Sequence, residues 1–269
     1  MQQQIGYLWS IARRLWLVLF VILTACSAIK PSPAKPSPFI EQADALKDAG
    51  DDLPFQKAWF KDVAKLREIQ TSYQSVHIAP IDTSSIGTKK DSRISDAVSL
   101  GVEAKDIQKI SQLLYNELIA AIKSYDKTGT QIVDQPTPNT LVIKVALVEL
   151  KPTQTAINAG QTVAGFFIPG SQLVAGAISA GASAATSPLS NGSIAMEAKF
   201  QDGPDGELLG EISDRQVDPT TVLINFRNYT KFGHARSTVR RWAKSLAEFL
   251  MTPASHPVSK PLPLTFALW

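Results

Sequence analysis

Apolar positions recur at helical spacing in two long segments of the chain. Ile107, Ile110, Leu114, Leu118, Ala121 and Ile122 share one face between residues 103 and 125; Ala235, Val239, Trp242, Leu246 and Leu250 do so between 232 and 250. Both segments are predicted as amphipathic helices. A weaker helical pattern runs over Phe39–Gly50 and Phe55–Tyr73, where Trp59, Val63 and Leu66 recur and Asp51-Asp52-Leu53-Pro54 interrupts. Residues 39–74 are therefore expected to form a helical arm.

Strand patterns lie between the helices. Ser75 to Ile81 carries Val76 and Ile78 on one side, and Leu141 to Leu150 is apolar almost throughout, as suits a central strand covered on both faces. Ser193 to Phe200 alternates, with Ile194, Met196, Ala198 and Phe200 inward and Ser193, Glu197 and Lys199 outward. Asp202-Gly203-Pro204-Asp205-Gly206 is a turn signal, after which Leu208 to Arg215 returns as the partner strand. The order strand, helix, strand, hairpin, helix predicts one α+β domain over 75–251, with a mostly antiparallel sheet and two packed helices.

The chain's beginning has another character. Arg13-Arg14 precedes the unbroken apolar run Leu15 to Leu23, and Leu23-Thr24-Ala25-Cys26 closes it with small residues before a cysteine. The run is shorter than the ~20 residues a membrane-spanning helix needs. Residues 1–25 read as an export signal, and the L-x-A-C spelling resembles the lipobox of bacterial lipoproteins. That resemblance implies cleavage before Cys26 and lipid on its thiol; Ser27 in the next position resembles an outer-membrane address. From Cys26 to Pro38 a proline-rich stretch is expected as a solvated tether, at about 3.1 Å per residue long enough to hold a domain on the order of 30 Å from the lipid.

Removal of the leader changes the charge. Arg13 and Arg14 are two of the 27 basic residues, and their loss leaves 25 against 24 acidic ones. A nearly neutral chain gives no case for nucleic-acid binding. Cys26 is the only cysteine, so neither an intrachain disulfide nor a cysteine-based zinc site can form.

Between Lys151 and Glu197 no residue is charged. This stretch holds Phe166, Phe167 and Ile168, a Pro169-Gly170 break, and then Leu173 to Ala185, with Ile178 and small residues at four-residue spacing. Three readings stay open for the insertion 152–192. It could be a helical hairpin packed on the sheet or on a partner, a flexible Gly/Ala/Ser-rich loop, or, over 157–187, an element that enters a membrane. Phe166, Phe167, Ile168, Leu173 and Ile178 are its candidate membrane or partner surface.

Catalytic chemistry is not spelled out. His77, His234 and His256 have no second ligand at metal-binding spacing, and nucleotide-binding and nucleophile-elbow motifs are missing. No metal or cofactor is expected beyond the lipid on Cys26. His77, Asp82 and Asp214 would make an enzymatic site only if the fold gathered them. His234, Arg236, Arg240, Arg241 and Lys244 share the last helix, as a solvated face or as a contact for anionic surfaces. Residues 252–269 are a proline-rich tail that ends in the apolar Leu264 to Trp269.

Leu141 to Leu150, the uncharged stretch, Gly206-Glu207-Leu208-Leu209-Gly210 with Asp214-Arg215, and Trp242-Ala243-Lys244-Ser245-Leu246 resemble bacterial lipoproteins grouped as domain of unknown function 3313. The resemblance implies lipoprotein status and an α+β domain, and no activity. More distantly, the element order is similar to the periplasmic domain of curli-secretion-type lipoproteins, whose inserted segments form a pore; here that segment is richer in Gly and Ala and holds Pro169. These readings together predict a non-enzymatic, periplasm-facing lipoprotein of the outer membrane. Its expected partners are the membrane through its lipid, an envelope protein or a second copy of itself. The alternative is a membrane-inserting or transport accessory subunit.

Overall fold

The computed structural model describes residues 31–50, 53–63, 66, 72–86, 102–152, 192–217, 231–253, 256 and 258. The chain divides into two compact units, residues 33–262 and residues 1–32 with 263–269. In the second unit only Pro31 and Ser32 are described, so the fold that follows is that of residues 33–262.

Seven strands and two long helices build it: β1 Lys47–Asp48, β2 Lys57–Phe60, β3 Ser75–Ile78, α1 Ala104–Tyr125, β4 Gln131–Ile132, β5 Thr140–Lys151, β6 Ser193–Asp202, β7 Leu208–Val217 and α2 Gly233–Met251. The strands form one sheet in the order β1-β2-β7-β6-β5-β3-β4. Only the junctions of β3 with β4 and β5 are parallel; the others are antiparallel. A parallel neighbour needs a crossover connection, and α1 lies in the one between β3 and β5.

Both helices cover one face of the sheet. The α1 stripe expected from sequence is the buried one at Ile110, Leu114, Leu118 and Ile122, and Ala235, Val239, Trp242, Leu246 and Leu250 are buried on α2. They join Ile143, Leu147, Ile194, Met196, Phe200 and Ile212 of the sheet in a single core. Glu103 and Asp106 form a reciprocal capping box at the start of α1. Ion pairs Lys231–Asp106 and Arg240–Glu117 link α2 to α1 near their starts and middles, so the two helices run side by side in the same direction.

The predicted helical arm is corrected by the pairing. Lys47–Asp48 and Lys57–Phe60 are strands, and β2 pairs with β7. Among the described residues of that segment, helical backbone appears as a 3-10 turn at Ala43–Ala45 and at Val63, Leu66 and Ser72. Pairing decides the matter: without β2, β7 would present a row of unpaired N–H and C=O groups. Gly210 stands opposite Phe60 in the register, and its missing side chain is where the Phe60 ring sits.

The tether expectation is corrected for its end, Ala34 to Pro38; residues 26–30 lie outside the described residues. Ser37 and Ile40 are buried, and Ala34 and Phe39 pack on Ala146, Val148 and Ala195, which face away from the helices. A segment with four prolines cannot join a ladder, yet it can lie flat across one. Residues 34–42 therefore form a strap over the second face of the sheet.

The long connections share one end of the sheet. Lys151 pairs with Ser193, and Ser193 with Val217. The segments that follow β5 and β7 thus both leave from this end. The chain beyond β3 runs toward it too, since Asp82 bridges to Ala146.

Candidate functional site

The most unusual chemistry lies between the strap and the sheet. Glu197 and Glu211 both have zero exposure. A carboxylate taken out of water costs several kcal/mol unless its oxygens are satisfied, and here the strap satisfies them. Ser37 donates its backbone N–H to Glu197 Oε1 at 2.8 Å and its hydroxyl to Oε2. The N–H groups of Glu41 and Gln42 donate to Glu211 Oε1 and Oε2 at 2.9 and 2.8 Å.

Lys199, 9% exposed, completes the seam. Its ammonium donates to Glu41 Oε1 at 2.6 Å, lies 3.9 Å from Glu211 and stands 4.9 Å over the Phe39 ring. Lys199 and Glu211 are register partners on β6 and β7, as are Glu197 and Ser213. The local turn helps too: the Ile40 N–H bonds to the Ser37 carbonyl at 3.1 Å and the Phe39 N–H to the Ser37 hydroxyl at 3.1 Å. Farther along this face Arg215 pairs with Glu149 at 3.0 Å, and Ser193 donates to the same carboxylate. Burial pushes the Glu149 carboxyl up, but the bonds from Ser193 and Arg215 and the Lys151 charge outweigh it, leaving it below its ordinary range.

A second polar cluster lies on the helix side. Asp214 is 2% exposed and accepts from Trp242 Nε1 at 2.6 Å, Gln216 Nε2 at 2.8 Å and the Gln56 N–H at 3.0 Å. Burial raises its carboxyl, and these bonds and nearby Arg241 counteract only part of that. His234 is pushed down to about 4, first by burial and then by the Arg241 charge. Arg241 is itself lowered by burial, with Asp214 opposing. An open polar depression of about 420 Å³ lies elsewhere, lined by Ser72, Tyr73, Gln74, Thr128, Thr130 and Asn139. Burial, followed by the hydrogen bond to Asp202, pushes the Tyr73 hydroxyl well above its ordinary value.

The fold does not gather His77, Asp82 and Asp214. His77 Nδ1 lies 2.9 Å from the Val133 carbonyl, and Asp82 accepts from the Ser84 N–H. Asp214 is on β7, three strand spacings from β3, or about 14 Å. On α2 the basic residues separate: Arg236, Arg240 and Lys244 are exposed, while Arg241 turns toward Asp214. Cys26 with Leu23, Thr24 and Ala25, and Phe166, Phe167, Ile168, Leu173 and Ile178, lie outside the described residues, as does Leu264 to Trp269. Among the described residues no cluster of three or more His, Cys, Asp or Glu could hold a metal ion, and no helix is long and apolar enough to cross a membrane.

Sequence reasoning missed the strap. Its outward assignment of Glu197 and Lys199 was right in direction, but both side chains meet protein instead of water. The available signal was the position of Glu197, an acid within an otherwise apolar stretch of strand.

Taken together, these features define an α+β domain with two helices on one face of a mixed sheet and its own N-terminal strap on the other. The chain belongs to the family described as Protein of unknown function (DUF3313), whose model matches residues 35–246. No curated protein matches the chain. Among solved structures it is similar to two of the PelC dodecamer from Paraburkholderia phytofirmans. A point variant in space group C2 is 10% identical with a TM-score of 0.31, and a form in space group P6 is 9% identical with a TM-score of 0.30. Each match covers 65% of this chain and 88% of the other.

Proposed function

We propose that this protein is a lipoprotein of the outer membrane, anchored through Cys26 and facing the periplasm, that serves the cell envelope as a non-enzymatic structural or binding module. The observation that carries this reading is Leu23-Thr24-Ala25-Cys26 directly after a short apolar run. The strap supports it, because a domain whose fold begins a few residues beyond the lipidated position is suited to being held at a surface. An envelope protein or a second copy of the chain is the expected partner. The test is the intact mass of the mature protein and of Cys26→Ala, taken from separated inner and outer membranes. A diacylglycerol-type increment in the outer-membrane fraction that the variant loses is the expected result. A full-length, unmodified chain would overturn the reading.

A second reading rests on the uncharged stretch, which leaves the sheet at Lys151 and returns at its register partner Ser193. In this reading residues 157–187 enter lipid and the protein is a membrane-inserting or transport accessory subunit. Carbonate extraction of Cys26→Ala separates the two. Release into the supernatant supports the module, and retention in the membrane supports insertion.

A further inference from the structure

Positive charge gathers on the two helices. Together α1 and α2 carry seven basic and three acidic residues, an excess of four where the whole chain has three. Among the exposed positions of α1, Lys105, Lys109, Gln112, Asn116, Ala120 and Lys123 recur three or four apart, so they share one outward face that holds no acid. Glu103, at the start of the helix, pairs with Lys105. Asp106 and Glu117 lie to the side of that face, where they pair with Lys231 and Arg240. Most of the circumference of α2 is buried, and its exposed positions are Arg236, Arg240 and Lys244. These three form one stripe about 12 Å long. Arg236 and Lys244 take part in none of the ion pairs among the described residues.

We propose that this outward face of the helix pair docks on the anionic headgroup plane of a phospholipid bilayer. Charge complementarity sets the sign of the occupant, and the make-up of the face sets its kind. Among the described residues only Val63 is an exposed large apolar side chain. The face therefore lacks the apolar centre on which protein partners anchor, and it has no apolar side to sink below the headgroups. A plane of phosphate groups needs cations alone, and each one brought near it adds about fivefold to partitioning. The cations are spread over two helices held side by side, which suits a plane better than a single bound anion. The other face of the sheet is unlike this one, since its buried carboxylates Glu197 and Glu211 are satisfied by the strap. This docking rests on the membrane reading above only for the presence of a bilayer, and it holds whether or not Cys26 carries lipid.

The test is lysine acylation, read by mass spectrometry on the full chain reconstituted in vesicles of phosphatidylcholine alone or mixed with phosphatidylglycerol. Lys109 and Lys244 report the docked face. Lys144 is the control, because it is the register partner of Lys199 and so faces the opposite side of the sheet. Phosphatidylglycerol is expected to slow Lys109 and Lys244 by about fivefold or more and Lys144 by less than about twofold. Salt at roughly 0.5 M should abolish the slowing in the parent, since it screens exposed charges within a few Å. Arg236→Glu with Lys244→Glu, both at exposed positions, should abolish it at Lys109 and leave the thermal midpoint near the parent's. Equal rates in the two vesicles, slowing that survives salt, or slowing of Lys144 as large as that of Lys109 would overturn the docking face. Slowing retained at Lys109 in the double variant would overturn the role of the α2 stripe. Heparin that slows Lys109 and Lys244 where phosphatidylglycerol does not would make the occupant a polymer and overturn the bilayer. A chain that sediments with neither vesicle overturns docking and anchor together, whereas one that stays with both and shows equal rates overturns docking alone, so the two failures are distinguishable.

Discussion

Trp242 donates its indole N–H to Asp214 Oδ2 at 2.6 Å, a buried bond that joins α2 to β7. Asp214 sits on the inner face, opposite Met196 in the register, where an apolar residue would be the default. The carboxylate serves as a hub instead. One side chain satisfies a buried indole and two part-buried donors, the Gln216 amide and the Gln56 backbone N–H.

Removing the hub is expected to cost more than removing one spoke. Asp214→Ala should lose about 3–5 kcal/mol in urea denaturation, since three donors and the Arg241 charge are left without it. Trp242→Phe should lose about 1–3 kcal/mol, because it gives up one charge-assisted bond and little packing. A smaller loss for Asp214→Ala than for Trp242→Phe would show that the carboxylate is not the organising group.

Acid is expected to weaken the fold through His234. Its folded value of about 4 lies below the ordinary 6.5, so the unfolded chain takes up a proton first as pH falls. The stability of the neutral, buried imidazole is fully present above pH 6.5 and declines between 6.5 and 4, by on the order of 2–3 kcal/mol. Asp214 acts in the opposite sense, since its raised folded value favours protonation of the native state. Urea titrations of the parent and of His234→Asn at several pH values isolate the imidazole. The parent should lose stability relative to the variant as pH drops from 6.5 to 4, and parallel curves would refute the assignment.

Gly210 tests the register of β2. A methyl added there would stand 2.3 Å from the Phe60 ring. Phe60 stacks on Phe200 at a centroid distance of 6.4 Å and meets Phe249 in a tilted contact at 5.5 Å, and a shift of its ring would disturb both. Gly210→Ala should cost about 1–3 kcal/mol by overpacking. In the background of Phe60→Ala most of that cost should vanish, leaving only the 3.1 Å approach to the Trp59 carbonyl, and a double-mutant cycle with no coupling would argue against the pairing of β2 with β7.

The Arg240–Glu117 pair between the helices should matter little despite its 3.0 Å length. Arg240 is 60% exposed at its side chain, and solvent screens such pairs. Arg240→Ala is expected to change the thermal midpoint by less than about 3 °C. A larger loss would mean that this contact, rather than the apolar stripes, orients α2 on α1.

The amphipathic helices and the hairpin β6–β7 were legible in the sequence because their signals are local. Ile110, Leu114, Leu118 and Ile122 repeat at one spacing, and Gly203, with φ of +76°, marks the turn from its own conformation. Strands β1 and β2 were not legible. Trp59, Val63 and Leu66 carry a helical period, but the open edge of β7, more than a hundred residues later, takes Lys57–Phe60 as a strand.

The candidate site divides in the same way. By itself the sequence determined the lipoprotein spelling at Cys26 as an expectation, the class of fold, the two apolar helix faces, and which side of β6 carries Glu197 and Lys199. Period and composition suffice for these, since each depends on neighbours within a few residues. Only the tertiary structure decided that Ser37 meets Glu197 across 160 positions, that Glu41 and Gln42 cap Glu211, and that Asp214 turns inward to Trp242. The physical reason is that a buried charge needs a partner, and the partner is set by where the chain returns in space, which no local pattern encodes.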